Sequence, residues 1–227
     1  MGEFLAVSAF QTEDVDGVLA AAGRFFTANA WPAEPVPDAE PVADDDVLVF
    51  PPVNGWIVVN WPRYFTELAT AESISRDLGA LASTVRIHDG DYWSHALLSN
   101  GATLDQFATM PDYFTDDPAE VARLAAKYAG QPALIAATVG SAVEQVAPYL
   151  VHVNLEDDED EDGYYVAEPE MGRAFPDDEF ELGSPWVFVD FWRRIGPRYP
   201  DDISAWVRRL RLAEGWMDKL PAGDAEL

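Results

Sequence analysis

Three asparagine-glycine or aspartate-glycine pairs most constrain the fold of this chain. Asn54-Gly55 lies in "VLVFPPVNGWIVVNW", between two apolar runs rich in β-branched and aromatic residues. Such a pair supplies the positive φ angles of a tight hairpin. Asp89-Gly90 and Asn100-Gly101 punctuate three further strand-like segments, "STVRIHDG", "DYWSHALLSNG" and "ATLDQFATM". The sequence therefore predicts an antiparallel sheet that contains consecutive hairpins.

The segments around these hairpins predict one more strand and two helices. Residues 3–10 are a short apolar run typical of a buried strand. Thr12 is a suitable N-cap for a following amphipathic helix, and helical spacing returns over residues 70–82. The resulting β-α-β-β-α-β order predicts an α+β fold with a ferredoxin-like antiparallel sheet plus an added hairpin, which we assign to a domain over residues 1–115.

The remainder, residues 116–227, is predicted to be a mostly helical part with an acidic hairpin, packed on the first domain. Asp117 and Pro118 favour a helix start, two short helices follow within residues 131–150, and Ser141 is predicted to cap the second of these. The last helix is predicted over residues 202–220, where apolar residues recur at helical spacing.

The charge of the chain excludes some classes of partner. A formal net charge of −27 over 227 residues disfavours binding to nucleic acid or to anionic membrane surfaces. The chain has no cysteine, which rules out disulfides and thiolate metal sites. It also lacks a long apolar run and a basic flank at its start, so we expect a soluble, cytoplasmic protein without a membrane partner.

The distribution of charge is uneven. Residues 1–192 hold 35 acids and seven bases, which is −28, whereas residues 193–219 hold seven bases and four acids, which is +3. An acidic surface on the same chain lies within reach of this basic segment at high effective concentration. We therefore expect the segment to dock on its own protein.

The most acidic stretch is "NLEDDEDEDGYYV", residues 154–166, and three interpretations of it stay open. It is a solvated hairpin tip, a weak cation site, or a surface for a basic partner. The partner-binding residues of the third interpretation are Glu156, Asp157, Asp158, Glu159, Asp160, Glu161 and Asp162.

A calcium site at this stretch would use Asp158, Asp160 and Asp162, which follow the first, third and fifth ligand positions of an EF-hand loop. The likeness then fails, because the position of the last EF-hand ligand is Pro169. Glu168 stands next to that proline and is the remaining candidate ligand, while the flanking residues alternate like strands.

Another candidate for chemistry is "HDGDYWSH", residues 88–95, which contains two of the three histidines. Imidazole and carboxylate are ligands for zinc, manganese or iron, and His88 and Asp91 could meet across the Asp89-Gly90 turn. A polar hairpin is the alternative. The chain contains neither a phosphate-binding glycine loop nor a G-x-S-x-G nucleophile motif.

Three classes of function follow from these observations. The first is a non-catalytic binding protein whose acidic surface engages a basic protein, as an immunity protein or a nucleic-acid mimic does. It needs no cofactor. The second is a calcium-binding or calcium-stabilised module at the acidic loop, and the third is a metal-dependent enzyme that uses the region of His88 and Asp91.

Overall fold

The protein is an α+β protein with one antiparallel sheet of eight strands, which confirms the predicted fold class at that level. The computed structural model describes residues 3–65, 68–153 and 171–219. The strands lie side by side in the order β2-β8-β3-β4-β1-β5-β6-β7. Their bounds are β1 Leu5–Phe10, β2 Ala33–Pro35, β3 Asp46–Val49, β4 Ile57–Asn60, β5 Leu81–His88, β6 Tyr92–Ser99, β7 Ala102–Ala108 and β8 Arg208–Leu212.

Six α-helices accompany the sheet within the described ranges. They are α1 Val15–Ala28, α2 Leu68–Leu78, α3 Pro118–Lys127, α4 Pro132–Val139, α5 Val143–Val146 and α6 Phe188–Ile195. Asp117 caps α3 as predicted, because its carboxylate accepts a hydrogen bond from the Ala119 backbone. The predicted caps at Thr12 and Ser141 are wrong: Asp14 caps α1, and the Ser141 hydroxyl donates to the Arg194 carbonyl instead.

The predicted hairpin turns are confirmed. Asn54, Asp89 and Asn100 adopt positive φ angles, as do the glycines that follow them. The last two turns connect β5 to β6 and β6 to β7 in antiparallel register. At Gly101 a side chain would also collide with Arg76 and with the Glu72 carbonyl, so the turn there requires glycine for space as well as for φ.

The sheet carries a separate hydrophobic core on each face. Helices α1 and α2 pack together on one face, where Phe10, Phe26 and Ile74 are fully buried. Helices α4 and α6 belong to the other face, where Trp93 and Trp192 are fully buried. Alternate residues of each strand therefore enter opposite cores, as the period of a strand requires.

The predicted helix over residues 202–220 is wrong. Part of this segment is strand β8, which lies between β2 and β3. The basic segment nevertheless docks on the chain's own acids, as predicted, because Arg208 pairs with Asp16 and Arg211 pairs with Asp46. Its position within the sheet makes it part of the folded unit.

None of the helices in the described ranges has both the length and the apolar character needed to cross a membrane.

Candidate functional site

The last residue of β5, His88, lies among aromatic side chains that come from separate segments of the chain. Ring centroids of the five neighbours lie 5.0–5.7 Å from the centroid of its imidazole. These neighbours are Phe4, Tyr64, Tyr92, Tyr113 and Phe114. We call His88 and these five residues the His88 cluster.

The imidazole of His88 is held as a neutral ring. Its Nδ1 atom lies 3.0 Å from the Tyr64 hydroxyl. Burial lowers the pKa of His88, and the negative charges of Asp89 and Asp91 only partly oppose this effect. At neutral pH the ring therefore packs as an uncharged aromatic group.

The turn that brings Tyr64 to His88 has an unusual backbone. Arg63 and Tyr64 both adopt positive φ angles, 46° and 55°, which side-chain-bearing residues rarely do. Arg63 points its guanidinium at Asp45, whose carboxylate oxygen lies 2.6 Å from Nε. Such backbone conformations persist only where the surroundings enforce them, and they concentrate at functional sites.

The cluster is buried on one side and open to solvent on the other. Tyr92 is 1% exposed, whereas Phe4 is 47% exposed and Phe114 is 41% exposed. The two phenylalanines contact the same imidazole at centroid distances of 5.0 and 5.1 Å. The cluster therefore exposes two phenylalanine rings that contact the same imidazole.

Two carboxylates, those of Asp89 and Asp91, border this pair. The carboxylate of the neighbouring Glu3 does not belong to this border, because it accepts a hydrogen bond of 2.7 Å from Trp186 Nε1. Asp89 and Asp91 belong to the β5–β6 turn, and Asp91 accepts a hydrogen bond of 3.0 Å from the Tyr113 hydroxyl. The acidic aromatic patch is defined as Phe4, Phe114, Tyr113, Asp89 and Asp91.

The negative charge of the patch belongs to a surface on which many cations are already neutralised. Eight arginines form ion pairs with carboxylates that the structure describes: Arg24, Arg63, Arg123, Arg193, Arg194, Arg208, Arg209 and Arg211. The excess of acids therefore falls largely on other carboxylates, and a basic molecule would meet an attractive field.

At the predicted metal site in the β5–β6 turn, His88 and Asp91 each contact a tyrosine. Asp91 bonds Tyr113, and His88 faces Tyr64. Within residues 3–65, 68–153 and 171–219, no group of three or more histidine, cysteine, aspartate or glutamate side chains is arranged to hold a metal ion. The metal-dependent enzyme stays a prediction.

The residues predicted for the acid run lie outside the described residues. This holds for the partner-binding residues Glu156 to Asp162 and for the calcium ligands Asp158, Asp160, Asp162 and Glu168. The three interpretations of that stretch therefore stay open.

Another histidine forms a contact that resembles a nucleophile and its base. His95 Nε2 lies 2.9 Å from the Ser83 hydroxyl, which also accepts a hydrogen bond of 2.9 Å from Trp192 Nε1. All three side chains lie in the core, with exposures of 0–3%. Because Ser83 is completely buried, a substrate cannot reach its hydroxyl. We therefore interpret the contact as a structural hydrogen bond of the core.

Sequence reasoning missed most of the patch because its members are distant along the chain. Phe4 precedes β1, Asp89 and Asp91 lie in the turn between β5 and β6, and Tyr113 and Phe114 follow β7. The one available signal is local: aromatic residues interrupt acidic ones in "PDYFTDDP", residues 111–118. An aromatic pair in an acidic, exposed loop is a combination that folding alone does not require.

Comparisons of the chain with protein-family models, with curated proteins and with solved structures give no match. The function of the acidic aromatic patch is therefore inferred from its own geometry and charge. Exposed aromatic residues that are fixed on a rigid base and bordered by charged groups are typical of protein-binding surfaces.

Proposed function

We propose that the protein is a non-catalytic binding module whose acidic aromatic patch engages a basic protein partner, in the manner of an immunity protein or a nucleic-acid mimic. One observation carries this proposal: Phe4 and Phe114, 47% and 41% exposed, rest on a single imidazole within a border of carboxylates. Their exposure costs hydration free energy that binding to a partner would recover.

The two components of the patch have different roles. Aromatic side chains near the centre of an interface contribute much of the binding free energy, and the fixed positions of Phe4 and Phe114 reduce the entropy lost on binding. The carboxylates of Asp89 and Asp91, together with the net charge of −27, accelerate encounter with a basic partner and favour it over acidic competitors. A partner with lysine or arginine next to an apolar pocket fits both.

A selection from a phage-displayed library of random peptides tests the proposal and needs no candidate partner. We expect the selected peptides to be enriched in lysine or arginine beside aliphatic or aromatic residues. Their affinity should fall at least about tenfold in the double variant Phe4→Ser/Phe114→Ser, since each lost anchor costs more than about 1 kcal/mol. Affinity should also weaken as salt is raised from about 50 to about 300 mM, because salt screens the attraction between exposed charges.

The chain offers a matched control. Val42 and Met217 are 52% and 45% exposed and lie outside the patch. The double variant Val42→Ser/Met217→Ser removes comparable exposed apolar surface and should leave peptide binding unchanged. Equal losses in the two double variants, or selected peptides without an excess of basic residues, would contradict the proposal.

We also infer that β1, α1, β3, β4, α2 and β5 form a ferredoxin-like unit, to which β6 and β7 add a hairpin. The adjacent antiparallel strands β3-β4-β1-β5, with α1 and α2 together on one face, support this inference. The order itself carries no activity, because such sheets serve unrelated functions.

A further inference from the structure

A cavity of about 550 Å³ lies on the sheet face that carries α4 and α6. Small-molecule sites usually enclose roughly 300 to 1,000 Å³, so this space is large enough for a ligand with an aromatic ring and a short chain. Four parts of the described chain line the cavity: the β3–β4 hairpin, the loop before α6, α6 itself and the residues that follow α6. Segments that are distant in sequence therefore converge on one space.

Part of the cavity wall is apolar. Phe50 and Val58 line it from the β3–β4 hairpin and are each 3% exposed, so they form its inner surface. Val53 also lines the cavity, lies at the hairpin turn and is 44% exposed. A ligand with an apolar body would cover this exposed surface, and the removal of apolar surface from water favours binding.

The aromatic ring of Tyr199 also lines the cavity and is held in place. Its centroid lies 5.6 Å from that of Trp186 and 5.5 Å from that of Phe188. A wall that is ordered before the ligand arrives reduces the entropy that binding costs.

The charged groups of the cavity have a negative sum. Arg193 and Asp190 neutralise each other, because Nη2 of the arginine lies 2.9 Å from Oδ1 of the aspartate. One positive and three negative groups remain among the described lining residues, which leaves a formal charge of −2. They are Arg198, Glu179, Asp201 and Asp202. In a protein whose net charge is −27, a cavity of this charge attracts a cation.

The three carboxylates are available to a ligand. Glu179 and Asp201 are exposed, and within the described ranges no arginine or lysine forms an ion pair with either. Asp202 accepts hydrogen bonds at Oδ1 from the Ser204 backbone and hydroxyl, at 2.8 and 2.6 Å. These bonds lower the pKa of Asp202, so its carboxylate is ionised at neutral pH.

We propose that this cavity binds a small amine with an apolar or aromatic body. The ammonium group would lie among the carboxylates of Glu179, Asp201 and Asp202, and the body would pack against Phe50 and Val58. None of the residues that line the cavity belongs to the acidic aromatic patch, so the amine site does not depend on the proposed partner surface.

The test uses phenethylamine as the probe. Phenethyl alcohol is its neutral analogue, hydrocinnamate is its anionic analogue, and ethylamine carries the charge without the aromatic body. In ¹H–¹⁵N spectra of the whole chain, we expect phenethylamine to shift the backbone signals of Val53, Val189 and Ala205, which line the cavity from three segments. The other three compounds should shift these signals much less. This map requires no variant, so it is informative even if a substitution impairs folding.

Charge variants then test the recognition of the ammonium group. Glu179→Gln/Asp201→Asn should weaken phenethylamine binding at least about threefold, because two exposed attractive charges are lost. Glu13→Gln/Asp116→Asn is the matched control, since it removes the same charge at exposed positions outside the cavity.

Arg198 gives a prediction of opposite sign. Arg198→Gln should strengthen phenethylamine binding by about twofold, because it removes a like charge from the cavity. Arg173→Gln changes an exposed arginine outside the cavity and should leave the affinity unchanged. Weaker binding in Arg198→Gln, or hydrocinnamate binding more tightly than phenethylamine, would overturn the proposal.

A last pair of variants tests the apolar wall. Val53→Ser should weaken phenethylamine binding about twofold or more, because the aromatic body loses apolar contact. Val42→Ser changes another exposed valine, which lies outside the cavity, and should have no effect. Equal affinity for phenethylamine and ethylamine, or the absence of shifts at the cavity residues, would also overturn the proposal.

Discussion

Arg209 and Asp46 form an ion pair in which neither side chain is exposed to solvent, with Nη1 2.9 Å from the carboxylate. Arg209 also donates hydrogen bonds to the backbone carbonyls of Pro37, Glu40 and Pro41. Its guanidinium carbon lies 4.2 Å from the centroid of a ring of Trp206. The pair therefore links β8 to the start of β3 and to the loop that precedes β3.

Replacement of this arginine is expected to be strongly destabilising. Arg209→Met removes the donor that the structure shows for the Glu40 carbonyl and leaves Asp46 with Arg211 as its remaining cation. We therefore expect a loss of about 3 kcal/mol in the free energy of unfolding. Arg208→Met is the matched control, because Arg208 is 51% exposed and pairs with an exposed Asp16. It should cost less than about 1 kcal/mol. Urea unfolding of both variants measures the two free-energy losses. Similar losses in Arg209→Met and Arg208→Met would show that burial of the pair is irrelevant to stability.

The same arginine explains why the sequence predicts the sheet well in one place and badly in another. Hairpin turns depend on two adjacent residues, so Asn54-Gly55 and Asn100-Gly101 predict their own conformation. The segment around Arg209 has no such local determinant. If every arginine in the segment is assumed to be exposed, its apolar residues follow the spacing of an amphipathic helix. The same residues fit a strand only if one arginine is assumed to be buried. The partner that permits this burial lies 163 residues away in sequence.

The candidate site shows the same limit. "HDGDYWSH" indicated a polar turn at His88, and the turn is there. The aromatic rings of the His88 cluster, however, include ones from the start of the chain, the turn after β4 and the loop after β7. Such a cluster exists only after the sheet has formed, so neither hydrophobic periodicity nor the spacing of sequence motifs predicts it.

The acid run leads to a prediction that unfolding measurements with and without calcium can test. Replacement of Asp158, Asp160 and Asp162 by asparagine should leave the melting temperature in millimolar calcium unchanged or slightly higher, because like charges are removed and the last EF-hand ligand is absent. Thermal unfolding with and without calcium measures this. A calcium-dependent stabilisation of the wild type that disappears in the triple variant would instead support the calcium-binding module.

Asp105 should make the protein less stable as pH rises. Burial raises the pKa of this carboxyl to about 6, and Gln131 opposes the shift through hydrogen bonds. Between about pH 4 and pH 6 the unfolded chain has lost this proton while the folded protein keeps it, so stability falls with rising pH. At pH 8, Asp105→Asn should be more stable than the wild type by up to about 3 kcal/mol. The advantage should fade towards pH 4.

Urea unfolding of wild type and Asp105→Asn at several pH values measures that difference. Asp116→Asn, which changes an exposed aspartate, is the control variant. A constant difference between wild type and Asp105→Asn across this range would mean that Asp105 is ionised in the folded state without cost.

His95, in contrast, should make the protein less stable as pH falls. Burial lowers the pKa of its imidazole to about 3, while the unfolded value is 6.5. As pH falls below 6.5, the unfolded chain binds a proton that the folded protein does not, so stability is lost over the window from 6.5 to 3. At pH 5 the loss amounts to about 2 kcal/mol.

Substitution of His95 by glutamine should remove this loss, because its side-chain oxygen can accept the Ser83 hydrogen bond and it does not titrate. We expect His95→Gln to be less stable than the wild type at pH 7.5, where packing dominates, and to close part of that gap at pH 5. The carbon-bound protons of the His95 ring provide an independent measurement: their chemical shifts should stay constant from pH 5 to pH 8. Titration of that signal near pH 6.5 would show that the core admits a proton, and hence water, at His95.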